Sequence, residues 1–291
     1  MPSGSDGRPA PARPPAEPEA ALLAREAARV RAAARADRWR VRAWQAALLV
    51  ALLAGWSLAS GRLVDRLFVS DPAAVVRALA GLVARGTLWF HLWFTLTETL
   101  LGYAIGAGLG LAAALAVALT RGGEPILRPF VLLAWATPKI ALAPLVIIWF
   151  GIGIVPKIVL AATFVFFVVF LSTLAGLATV RPELVAVVRV MGASPLTVFR
   201  KVSVPSAMPF IVTALRITIP AALIGAIIGE FISANRGIGY LINAASSRYN
   251  TAEVFAGILS LLVLVLLMNA AVSALELAWL SWAPRESGRL L

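Results

Sequence analysis

The residues in this chain best placed to do chemistry are ionisable side chains set inside apolar stretches. Glu98 follows an apolar window that opens at Trp89, Lys139 stands beside Pro138 in an apolar run that ends at Phe150, and Glu230 closes a further window shortly before Asn235, Gly237 and Gly239. An ionisable group at membrane depth faces the protein interior or a wet cavity and has a partner. Glu98 lies nine residues in from Trp89 and Lys139 eleven in from Phe150. At the rise of an α-helix they differ in depth by about 3 Å. The two are therefore read as an intramembrane ion pair, with a substrate-facing charge as the alternative. Glu230 reads either as a snorkelled, solvated carboxylate or as part of an outer gate. His91 is the single histidine and sits between Trp89 and Trp93, the position of an interfacial anchor and not of a metal ligand. With no cysteine there is no disulfide, thiolate nucleophile or cysteine metal site. Catalytic, metal and cofactor roles are expected to be absent, and a membrane-embedded enzyme is the remotest reading.

The elements that must position these charges are membrane helices. Of 291 residues, 60% are hydrophobic and 14% charged, with a mean hydropathy of +0.89, a composition suited to a bilayer. The expected fold is all-α and polytopic, with six spans at Ala43–Ser60, Trp89–Thr120, Leu127–Phe150, Val155–Ala178, Phe210–Ile232 and Val254–Leu280. The net charge of +12 does not imply nucleic acid, because the arginines lie in a tail and short loops, not interleaved with aromatics on a folded face. With the N-terminus inside, 17 of the 26 Lys and Arg fall inside and 7 outside, Arg216 and Lys139 being within spans. That is the sign of the positive-inside rule, so both termini are expected to be cytoplasmic. Residues 1–42 read as a disordered Pro/Ala-rich tail followed, from about Ala20, by a basic helix suited to anionic headgroups, and residues 43–291 as the transmembrane domain.

Two patterns speak to packing and one to a partner. Asp71-Pro72 followed by Val75, Val76, Leu79, Leu82 and Val83 predicts a short helix on the outer surface. Gly102, Gly106 and Gly110 recur every fourth residue, continued by Ala114 and Ala118, which makes one helix face nearly flat for close packing, or for bordering a pathway. No GxxxxGK follows them, so they are not a phosphate loop. The polar break at 179–209 holds a helical start at Pro182, Gly192, a second helical piece at Ser194–Lys201, then Pro205 and Pro209. Two short helices joined by a glycine form a docking element, where a plain connection would need neither this length nor this pattern.

That segment resembles the cytoplasmic EAA loop of ABC importer permeases, in which EAA is followed by three residues, a glycine, nine residues and I-x-L-P. Gly192 matches the glycine, Val202 and Val204 the aliphatic positions, and Pro205 the proline. Ala186, Val187 and Val188 occupy the EAA positions, so the glutamate is missing, and Glu183 one turn earlier is the available substitute. TLTETLLGYAIGAGLG, TPKIALAPLVIIWFGIGIVPKI and IIGEFISANRGIGYLI are similar to the sulfonate, nitrate and taurine branch of these permeases, although Glu98 stands where many members carry a basic residue. The resemblance runs from about Leu67 to the C-terminus.

It implies a non-catalytic permease subunit of the bacterial inner membrane that moves a small solute, such as a sulfonate, nitrate or taurine, inward. Two permease chains, as a homodimer, would form the pathway. Separate ABC ATPase subunits would bind ATP and Mg and dock on Glu183, Ala186, Arg189, Gly192, Ala193 and Ser194 together with the aliphatic-proline end of the loop. A periplasmic or lipid-anchored binding protein would deliver and largely select the solute. An ion-coupled carrier acting alone would instead show paired mid-membrane carboxylates and an inverted repeat.

Overall fold

The computed structural model describes residues 19–120, 123–233 and 235–279. The expected disordered tail, Arg121, Gly122, Arg285 and Arg289 lie outside them. The described residues are helical apart from turns and one isolated bridge between Ser60 and Val64. In order they form α1 (Glu19–Ala59), α2 (Pro72–Ala84), α3 (Thr87–Leu119), α4 (Gly123–Ala136), α5 (Lys139–Phe150), α6 (Val155–Ala178), α7 (Pro182–Val190) and α8 (Pro195–Val198). A single π turn (Phe199–Ser203), α9 (Val204–Ser233), α10 (Ile238–Ser247) and α11 (Thr251–Trp279) follow. Residues up to Ala59 form one unit and those from Ser60 a second. In the first, the basic stretch and the first apolar span are a single uninterrupted helix, apolar enough to cross a membrane from Asp37 to Ala59.

The second unit is built on the flat face of α3. A methyl group on Gly102 would strike Ala161, one on Gly106 would strike Ala162, and one on Gly110 would come within 2.7 Å of the Phe166 carbonyl. Only glycine permits this approach to the α6 backbone. Rising numbers on α3 meet rising numbers on α6, so these two helices run parallel. On α9 the order is reversed. A methyl on Gly225 would sit 2.6 Å from Ala161 Cα, one on Gly229 2.8 Å from Lys157 Cγ, and Phe210 Cβ lies 2.8 Å from where Gly176 would carry one. α9 is therefore antiparallel to both. Ala107, Val165, Val169, Ala214 and Ala222 fill the seam of the three helices. Ile219 and Leu223 of α9 meet Leu264 and Met268 of α11.

The expected third span is not one straight helix. It breaks at Thr137-Pro138, where α4 and α5 meet at 90°. Pro138 has extended backbone (ψ 101°) and carries no N–H for the turn before it, so the helix stops and restarts. Because α3 and α6 are parallel, both starting at the same face, the broken pair must carry the chain back across once. It is one bent span, not a loop that returns to its own side. Counting α1, six apolar spans result, as the hydropathy pattern predicts.

The loop at 179–209 departs from expectation in its second half. Ser194 to Lys201 is not a separate helix: α8 passes through the π turn into α9 without a gap. The N–H of Val204 reaches the Phe199 carbonyl in this turn, just ahead of Pro205, whose missing N–H already forfeits an α-helical bond. α2 forms as expected, with the Asp71 side chain accepting from the Ala74 N–H at 2.8 Å. α10 has no counterpart among the elements expected from sequence.

Candidate functional site

Helical spacing sets His91, Thr95 and Glu98 on one face of α3, continuous with the glycine stripe at 102, 106 and 110. Lys157 occupies the matching place on α6, four residues before Ala161. Parallel packing thus brings Glu98 and Lys157 together, with Lys157 Nζ donating to Glu98 Oε1 at 2.7 Å and the two residues 4% and 1% exposed. The expected Glu98–Lys139 pair does not form. Depth along a straight third span suggested it, and the right-angle break removes the premise. The stripe itself held the better signal: Glu98 is its next member, so its partner had to come from the helix that the glycines touch. Lys157, counted from sequence among the outer loop charges, is a buried residue of the span.

Glu230 is not solvated either, being 1% exposed. Its Oε1 accepts from Thr95 Oγ1 at 2.7 Å and its Oε2 from the Gly239 N–H at 2.5 Å. Thr95 Oγ1 in turn accepts from the Ile238 N–H at 2.8 Å, and His91 Nδ1 from the Gly237 N–H at 3.1 Å. The turn before α10 is thereby stitched to α3 through its backbone donors. Gly237 (φ +106°) is in a conformation that other residues rarely adopt, and a methyl on it or on Gly239 would collide with the Glu230 carboxyl. His91, expected as an interfacial anchor, is an acceptor in this network and lies against the Tyr240 ring, while the Arg236 guanidinium stacks over Phe94 at 4.9 Å.

Lys139 stands apart from this cluster. At the start of α5 its Nζ donates to the Trp135 carbonyl at 2.8 Å and lies 5.4–5.8 Å from the ring centroids of Trp135, Phe164 and Phe167. These are cation–π distances. Among the described residues no carboxylate lies within salt-bridge range of it.

At the opposite end of the helices, α7 ends in a Schellman turn. The Gly192 N–H reaches the Arg189 carbonyl at 2.9 Å and the Ala193 N–H the Val188 carbonyl at 3.2 Å, with Gly192 at φ +83°. Ser194 then caps α8, accepting from the Thr197 N–H at 3.3 Å, with Pro195 at the first helical position. Glu183 and Arg181 form an exposed pair at 3.6 Å, and Ala186 and Arg189 are exposed. So are Leu184, Val187, Val190 and Met191, the last two at 89% and 80%. Val202, Val204 and Pro205 are half-buried where the π turn enters α9. Among the described residues no group of three or more His, Cys, Asp or Glu is placed to hold a metal.

Packed helices apolar enough to cross a membrane, a bent span and an exposed two-helix unit at one end define a polytopic membrane protein. Residues 104–279 match the family described as binding-protein-dependent transport system inner membrane component, and the chain belongs to that family. It is 37% identical over 249 residues to the putative aliphatic sulfonates transport permease protein SsuC of Escherichia coli, covering 85% of this chain and 94% of that one. It is 31% identical over 240 residues to the taurine transport system permease protein TauC of the same organism, covering 81% and 87%. Among solved structures, the inward-facing MetNI methionine ABC transporter is similar with a TM-score of 0.56 at 25% identity, over 64% of this chain and 93% of that one. The chain is an ABC importer permease, a multi-pass component of the inner membrane.

Proposed function

We propose that this permease moves a small sulfonate-type anion inward, driven by ATPase subunits that dock on the α7–α8 unit. The observation that carries the reading is the exposed apolar face of α7, with Leu184, Val187, Val190 and Met191 uncovered next to a rigid Schellman turn. A soluble partner is the natural cover for such a patch outside the bilayer. Motion of that unit has a direct mechanical outlet, because α8 and the π turn are continuous with α9, the helix that packs on α6 and α3. ATP and Mg belong to the partner. This chain contributes the docking residues Glu183, Ala186, Arg189, Gly192, Ala193, Ser194, Val202, Val204 and Pro205.

The positive-inside balance puts the α7–α8 face in the cytoplasm, and with it both termini. The opposite face, with α2 and α10, then receives a periplasmic or lipid-anchored solute-binding protein. In α1, Arg38, Arg40 and Arg42 stand beside the start of the apolar segment and meet anionic headgroups. Two copies of the chain line the pathway. Lys139, held by rings and a carbonyl instead of a carboxylate, is the pathway-facing charge that an anion meets at the bend between α4 and α5, whereas Glu98 and Glu230 are structural. The similarity to sulfonate and taurine permeases supports the solute class.

Reconstitution tests the whole reading. Vesicles containing this chain, its ATPase and its binding protein should take up a labelled alkanesulfonate only with ATP inside the complex, and the chain alone should hydrolyse none. Uptake without the ATPase would refute it.

A further inference from the structure

The cluster at the α10 end holds two carboxylates and one cation. Glu98 and Glu230 are each 1% exposed and are electrostatic neighbours, Thr95 on the Glu98 face of α3 donates to Glu230, and Lys157 is the cation that pairs with Glu98. The other groups facing them add no positive charge. From α3, His91 accepts a backbone N–H at Nδ1, so that nitrogen carries no proton. From the turn before α10, Arg236 is exposed and stacked over Phe94. At the same end Arg85 and Arg248 pair with Glu253. Donors are one short as well. Lys157, Thr95 and Gly239 supply three of the four carboxylate oxygens, and Glu98 Oε2 is buried with no hydrogen-bond donor.

We propose that Glu98 and Glu230 form a buried proton-binding site, holding one proton between them. One bound proton makes the Glu98, Glu230 and Lys157 cluster neutral and provides the missing fourth donor. Without it, a net negative charge would sit at membrane depth with an orphaned acceptor. Two adjacent carboxyls sharing a proton is the established response to such crowding. The site lies at the end of the helices opposite the docking unit. It keeps the turn before α10 fastened to α3 while the cluster stays uncharged.

Infrared spectroscopy of the full chain in lipid nanodiscs, with glutamate selectively labelled with carbon-13, reads the proton directly. At neutral pH a protonated-carboxyl band should be present, shift in D2O and carry the glutamate isotope shift. It should vanish in Glu230→Gln, where Glu98 is left ionised against Lys157, and persist in Glu183→Gln. Glu230→Gln keeps the cluster charge and supplies an amide N–H in place of the held proton, but turns one of the two oxygens that accept from Thr95 and Gly239 into a donor, so the yield of folded chain should fall, though less than in the double variant. Glu98→Gln with Glu230→Gln leaves Lys157 unpaired, and yield should fall about tenfold or more. Absence of a protonated glutamate band in the unsubstituted chain at neutral pH overturns the proposal whatever the variants do. So does a band that survives in Glu230→Gln, or a yield for Glu230→Gln as low as that of the double variant.

Discussion

The two ends of the helical core solve opposite problems. At the α10 end, charges and backbone donors are drawn inward: Glu98, Lys157, Glu230 and Thr95 are all buried, and three consecutive N–H groups, of Gly237, Ile238 and Gly239, find side-chain acceptors. At the α7 end the apolar side chains point outward, and no residue of α7 is buried. An end that satisfies itself resists change, while one that leaves apolar surface uncovered is built to be completed by something else. Substitutions at the first end should therefore damage the chain itself, and those at the second should damage only what it assembles with.

The largest expected effect tests the first half of that contrast. Glu98→Gln removes the carboxylate that Lys157 Nζ bonds at 2.7 Å and leaves the balancing charge on Glu230, which bonds Thr95 and Gly239 and not Lys157, so a charge-assisted bond worth about 1.5–3 kcal/mol is lost. Thermal unfolding of the chain in detergent should show a strongly destabilised protein, with Lys157→Met recovering most of the loss when combined with it. Lys139→Met combined with Glu98→Gln should recover nothing. Simple additivity of Glu98 and Lys157 would mean that the pair is not an energetic unit.

Next comes Gly192→Glu, at the other end. Its φ of +83° is unfavourable for any side chain, typically by about 1 kcal/mol or more. A methyl there meets nothing within 4 Å. The chain should insert and lose only about 2–4 °C of unfolding temperature for the strain of about 1 kcal/mol, yet lose co-purification with the ATPase and lose uptake. If unfolding temperature falls as far as in Glu98→Gln, the ends do not differ as described.

How much of this was legible in the sequence follows from which signals are local. Helix existence, the Asp71 cap, the Ser194-Pro195 start and the Gly192 turn depend on neighbouring residues, and all can be read from the chain. The π turn could not be read, since it is a compromise between Pro205 and continuity with α9. α10 is ten residues and not apolar enough to register as a span, and it is held by acceptors that come from more than 140 positions away in the sequence. The charge pairing was half legible. Glu98 extends the glycine stripe, but recognising Lys157 as its partner required knowing that α3 and α6 run parallel, and that depends on the bend at Pro138. Depth alone selected Lys139, the nearer lysine on a straight helix that does not exist.

A middle-sized effect is expected of Lys139→Met. The substitution removes the charge while keeping an unbranched side chain among Trp135, Phe164 and Phe167. Stability should shift little because the cation–π contacts it loses are worth about 0.5–1 kcal/mol at partly exposed sites. Uptake of an alkanesulfonate by the reconstituted complex should fall about tenfold, the worth of a single charge interaction of about 1.4 kcal/mol, with Lys139→Arg retaining more than Lys139→Met. Unchanged uptake in Lys139→Met would remove this residue from the pathway and leave it a packing cation.

The smallest effect concerns Glu183, the available substitute for the glutamate absent at Ala186. It sits in the first turn of α7, where a carboxylate is favoured by the helix dipole, and its ion-pair partner among the described residues is Arg181, with both side chains more than 70% exposed. Such a pair contributes about 0–1 kcal/mol to the isolated chain, so Glu183→Gln should leave unfolding temperature unaltered. At a docking surface the same carboxylate is partly desolvated by its partner, and its loss should weaken ATPase association by about fivefold, or about 1 kcal/mol. Titrating the purified ATPase against the chain in nanodiscs, at low and raised salt, separates the outcomes. A loss that shrinks as salt rises identifies Glu183 as a charge read by the ATPase. Equal affinity for both forms at every salt concentration would assign the α7 contact to Leu184, Val187, Val190 and Met191 alone, making this end of the molecule an apolar docking face with no glutamate contact replacing the one lost at Ala186.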